Sequence, residues 1–125
     1  MLIPDKIPES FHIFGQKITV RRVESLTGTQ GALGHAYIDQ NRIDIQTSLE
    51  GNQIPEENLM RVFWHETLHQ VLAALSYKEQ CDDEHFVDTL AHALHQVTMS
   101  ADYKRAASSG RIKAVATAED QVNQK

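Results

Sequence analysis

The hydrophobic pattern of this chain changes period once, across residues 51–55, and that change sets the fold class. Before it, apolar residues alternate in short runs broken by turn residues; after it, they recur at the three- and four-residue spacing of helices. Segments 11–14 and 17–24 flank Gly15-Gln16 and read as a hairpin, with Ile18, Val20 and Val23 on a half-buried face. Residues 27–34, rich in Gly, Thr and Gln, read as a loop. Segments 35–39 and 42–47 flank Gln40-Asn41 and predict a second hairpin, with Tyr37, Ile38, Ile43 and Ile45 as strand residues.

Pro55 suits a first helical position, and Glu56 and Glu57 favour a helix N-terminus through the macrodipole. Met60, Trp64, Leu68, Val71 and Leu75 then form one apolar stripe. A polar loop over 78–83 leads to a second helix with Phe86, Leu90, Ala93, Leu94 and Val97 as its stripe. The expectation is an α+β fold: a small antiparallel sheet of two hairpins packed on two antiparallel helices. One domain spans 1–105, and 106–125 form a mobile C-terminal tail without a core pattern.

Bulk properties narrow the function. A length of 125 residues allows one domain with a core and no second. The single cysteine, Cys81, excludes an intramolecular disulfide and a cysteine-rich zinc module. No apolar run approaches a membrane span, and residues 1–5 lack the regions of a signal peptide. The expectation is a soluble, cytoplasmic protein without a membrane partner. A net charge of −5 gives no reason to expect nucleic acid. Seven histidines stand out, and they direct attention to metal.

Residues 65–69 read His-Glu-Thr-Leu-His, an HExxH pattern inside the first helix. Positions i and i+4 differ by about 40° in direction and about 6 Å in rise, so His65 and His69 can converge on one ion. Glu66 points about 100° further round, free to act as general base on an activated water. One zinc ion per chain is the natural cofactor for nitrogen and carboxylate ligands with an open position.

A catalytic zinc site needs a third protein ligand, and the candidates open the second helix. His65 and His69 lie about 120° to one side of their stripe; Glu84 and Asp88 lie about 120° in the same sense from theirs, and His85 on the opposite flank. Antiparallel helices in one layer meet through flanks of the same sense. That favours Glu84 as third ligand, with His85 as the alternative. Asp88, one turn beyond Glu84, is placed either to hydrogen-bond the outer nitrogen of a ligand histidine or to remain solvated.

HETLH followed by Glu84-His85-Phe86-Val87-Asp88 resembles the gluzincin arrangement within the zincin metallopeptidases. Among small members it is most similar to ImmA/IrrE-type peptidases and to short zincin-like proteins of phages and prophages, over about residues 11–100. In that group the third ligand is a glutamate on the following helix, with an Asp or Asn four places later, where this chain has Asp88. The resemblance implies a zinc metallopeptidase in which Glu66 takes a proton from water and passes it to the leaving amine. It also implies a protein or peptide substrate aligned by strand addition on an edge within 33–48. His35, Tyr37 and Tyr77 are the possible oxyanion donors.

Other residues read more plainly. His92 and His95 are surface or partner-facing; His12 is half-exposed; Trp64 packs in the core. Cys81 is an inert thiol or, if its loop folds inward, a thiolate ligand. Two rival functions remain: a non-catalytic zinc-binding interaction module of a phage or mobile element, and a metal-free interaction protein.

Overall fold

A computed structural model describes residues 6–26 and 32–102. The tail expected over 106–125 lies outside the described residues, as do positions 27–31 of the expected loop. Strands β1 (Ser10–Ile13) and β2 (Gln16–Val23) form the first hairpin. Its two-residue turn is Phe14-Gly15, both with positive φ, one place earlier than the sequence suggests. Strands β3 (Gly34–Tyr37) and β4 (Arg42–Gln46) form the second. Ile38 is not a strand residue; it opens a 3-10 turn (Ile38–Gln40) closed by Asn41 at φ 50°.

The hairpins join through β2 and β4, which run parallel, so the sheet is mixed rather than antiparallel throughout, in the order β1-β2-β4-β3. The choice of central strand has a physical reason. β4 carries Ile43 and Ile45, both wholly buried, whereas β3 offers only Gly34 and Ala36 on its inner face. The more apolar strand takes the middle, and β3 is left on an edge. A small hairpin of β5 (Ser48–Leu49) and β6 (Asn52–Gln53) then leads into the helices.

Helix α1 (Glu56–Ala74) lies between two layers. Ile18, Val20, Ile43 and Ile45 pack against its Leu59, Met60 and Phe63. On its other side Leu68 and Leu72 pack against Val87 and Ala91 of α3 (Glu84–Ser100), and Trp64 bridges both clusters. The sequence stripe on α1 is therefore the seam between two buried faces; Leu75, the C-cap beyond the last turn, stays 42% exposed. Burying both flanks removes far more apolar area than one stripe could, at about 1.5–3 kcal/mol per large side chain. On α3 the buried line runs through Val87 and Ala91 rather than through Phe86 and Val97, which remain exposed.

The connection between the helices is short and ordered. Ser76 at φ 63° ends α1 with a Schellman motif: its N–H donates to the Ala73 carbonyl (3.0 Å), and that of Tyr77 to the Leu72 carbonyl (2.9 Å). One helical turn, α2 (Lys78–Cys81), occupies the expected polar loop. Asp83 then caps α3 by accepting from the Phe86 N–H at 3.0 Å, which sets Glu84 in the first turn.

Candidate metal centre

The reversal between α1 and α3 brings three side chains of the expected set together. His65 Nε2 lies 3.0 Å from Glu84 Oε1, and His69 Nε2 lies 3.1 Å from Glu84 Oε2. The potential ligand atoms of His65, His69 and Glu84 all fall within 4.8 Å of one another. Tetrahedral ligands about 2.1 Å from zinc stand about 3.4 Å apart, so small rotations of these side chains suffice to receive the ion. The donor set, two neutral imidazoles and a carboxylate, also suits zinc. His85 is exposed on α3 and does not belong to this group.

Two contacts hold the imidazoles from behind. Asp88 Oδ1 lies 3.3 Å from His65 Nδ1. An Nδ1–H donated to that carboxylate would leave the Nε2 lone pair for a metal ion held between His65 and Glu84. Cys81 Sγ lies 3.6 Å from His69 Nδ1 and 3.5 Å from the His69 carbonyl, to which its thiol donates. The loop does fold inward, but the sulfur meets the outer nitrogen of His69, away from Glu84. Burial, together with the negative charges of Asp82 and Glu84, pushes the Cys81 thiol up and keeps it protonated. Burial likewise holds the His69 imidazole below its ordinary value, with Glu84 opposing, and so favours the neutral form a metal requires.

Glu66 sits deeper than its neighbours, only 8% exposed. Burial raises its carboxyl to about 7, against the favourable charge of His65; the Ala36 N–H, which donates to it, also lowers it. This burial depends on a close approach of β3 to α1. A Cβ on Gly34 would stand 2.5 Å from Val62 Cγ1 and 2.9 Å from Glu66 Cγ, so only glycine fits without displacement. Gln70, also buried, donates to the Arg42 carbonyl at 3.1 Å and fixes the same face of α1 to the sheet.

The resulting cleft has a volume of about 770 Å³, with His65, Glu66 and His69 on one wall and the edge strand β3 on the other. His35 lines it. Tyr37 does not: the Arg42 guanidinium lies 4.2 Å from its ring centroid, and it packs edge-on to His35 at 4.5 Å. Tyr77 is 54% exposed and outside the cleft lining. His12 is exposed on β1, while His92 reaches toward Asp88 at 3.8 Å. His95 is partly buried rather than at the surface.

Gly34, the Ala36 N–H and the outer role of Cys81 are absent from the sequence reading. Gly34 had a signal: a glycine directly before the alternating His-Ala-Tyr run marks a close backbone approach as readily as a loop end. Cys81 had none, since its place depends on the α2 turn.

No known protein family, curated protein or solved structure matches this chain. Among the described residues, no helix is long and apolar enough to cross a membrane.

Proposed function

We propose that this protein is a zinc-dependent metallopeptidase. The observation that carries the reading is the convergence of His65 Nε2 and His69 Nε2 on the Glu84 carboxylate, with the buried Glu66 lining the same cleft. When bound, zinc supplies Lewis acidity that lowers the pKa of water and polarises a carbonyl. His65, His69 and Glu84 would hold it.

The chain's own groups do the rest. β3 stands at the sheet edge and lines the cleft, so the strand can align an extended peptide by backbone pairing. Glu66 takes a proton from the attacking water and delivers it to the leaving amine. His35, the one cleft-lining member of the three donors considered, is assigned to the developing oxyanion. Asp88 and Cys81 are positioning residues that act through His65 and His69. We place the protein in the cytoplasm, a compartment that would keep the lone Cys81 thiol reduced.

The test couples metal content to turnover. Wild type and Glu66→Gln are each assayed for zinc by elemental mass spectrometry and for cleavage of a mixed peptide library. One zinc per chain in both, with cleavage only by wild type, supports the reading. Zinc in both without cleavage by either favours the non-catalytic zinc module. Equal cleavage by both, or no stoichiometric zinc in wild type, overturns the proposal.

A further inference from the structure

The turn of the first hairpin carries an unusual residue. Phe14 has φ 50° and Gly15 φ 84°, the two-positive-φ arrangement of a type I′ turn, whose first place favours Asn, Asp or Gly. A bulky side chain at positive φ is strained. Burial does not compensate, because Phe14 is 69% exposed, the most exposed large apolar residue among those described. A local rule broken without structural gain points to a role for the ring itself.

The ring faces a groove of about 500 Å³ at the turn end of the sheet, under the C-terminal turn of α1. Phe14, Ile38, Ala73, Ala74 and Leu75 give it an apolar lining, and Ile38 and Leu75 are 39% and 42% exposed. Its two turns are tied together, since Asn41 Nδ2 donates to Gln16 Oε1 at 3.1 Å. Ile38 also lines the metal cleft, so the groove continues that cleft past the end of β3.

We infer that this groove is an exosite for a bulky apolar segment of the peptide substrate. The inference rests on the peptidase reading and deepens it. A peptide paired antiparallel to β3 enters from the Ile38 end, so the segment concerned lies N-terminal to the reacting bond. The two hairpin turns lie about two strand spacings apart, about 10 Å, which three extended residues span. A Phe, Leu or Met among those residues would rest on the apolar lining that Phe14, Ile38 and Leu75 provide. The strained turn holds the aromatic ring in the peptide's path.

The experiment measures binding, so it does not depend on turnover. Fluorescent peptides carrying either one Phe or only Ala in the N-terminal part are titrated by anisotropy against zinc-supplemented Glu66→Gln. The same titration is done in that background with Phe14→Asn and with Leu75→Ala. We expect the Phe peptide to bind about tenfold more tightly than the Ala peptide. Either added substitution should remove most of that preference and leave the Ala peptide unaffected. Phe14→Asn should melt no lower than its parent, because Asn suits the turn. Equal binding of the two peptides, no binding of either, or an unchanged preference in both variants overturns the exosite. So does a wild-type dimer in light scattering that Phe14→Asn dissociates, which would make the groove a contact between copies. If the preference appears but wild type cleaves nothing in the mixed peptide library, the groove stands as a peptide-binding site and the peptidase reading fails.

Discussion

Gly34 and Glu66 are packed so closely that one methyl group could not be added between them: a Cβ on Gly34 would lie 2.9 Å from Glu66 Cγ. The same Cβ would meet Val62 Cγ1 at 2.5 Å. Gly34→Ala should therefore cost about 1–3 kcal/mol, as overpacking does. Adding Val62→Ala should restore most of the melting temperature, while any hydrolysis stays low because Glu66 remains displaced. Full recovery of both would show that Gly34 serves packing alone.

The metal set predicts a graded pattern of zinc affinity. His65→Ala, His69→Ala and Glu84→Ala should each abolish stoichiometric zinc, and His85→Ala should leave it intact. Asp88→Ala should retain binding but weaken it about 10- to 100-fold, the usual cost of losing a carboxylate behind a ligand histidine. Competition with a chromogenic chelator reads all five. An Asp88→Ala affinity equal to wild type would reduce its contact with His65 to a surface hydrogen bond.

Cys81 offers a weaker version of the same support to His69. A thiol is a poor acceptor, so Cys81→Ala should weaken zinc by only about threefold, less than Asp88→Ala does. Cys81→Ser should retain more affinity than Cys81→Ala because a hydroxyl can also accept from Nδ1. Nitrogen NMR of His69 in the metal-free protein supplies the second readout, with a larger Nδ1–H fraction in Ser than in Ala. An identical tautomer balance in both would dismiss the contact.

On β4, opposite His35, Asp44 should contribute strongly to the response to acid. Burial by itself would raise its carboxyl, but the hydrogen bonds and charges of Arg21 and Arg42 outweigh it and hold the group below its ordinary range. Both guanidinium contacts are short, 2.9 Å and 3.0 Å. A carboxyl whose folded pKa lies below the unfolded value, about 3.9, adds stability that is present above that value and lost as pH falls through the folded one. Asp44→Asn should cost about 2 kcal/mol at neutral pH. Urea melts should then show the gap from wild type closing below about pH 4. A gap independent of pH would mean that shape, not charge, makes Asp44 matter.

Much of the site was legible because its residues are local. The HETLH spacing depends only on helix geometry, and Glu84 and Asp88 share a face of α3 for the same reason. Layering was less legible. Two helices of one layer and a helix set between two layers give similar stripes, and the distinction appeared only when Phe63 and Leu59 turned to the sheet while Leu72 turned to α3. The parallel pairing of β2 with β4 was also hidden, because alternation reports which face of a strand is buried and not which strand lies beside it.

Period and spacing, which act over a few residues, determined the α+β class, the two hairpins, the long helices and the His65–Glu66–His69 triplet. Helix faces also favoured Glu84 over His85, and tertiary structure brought its carboxylate to both histidines. Tertiary structure alone set Cys81 behind His69, put β3 rather than β4 on the edge, and pressed Gly34 against Glu66. The reason is that each of these relationships joins separate elements, whose distance is set by how side-chain volumes fill the space between layers.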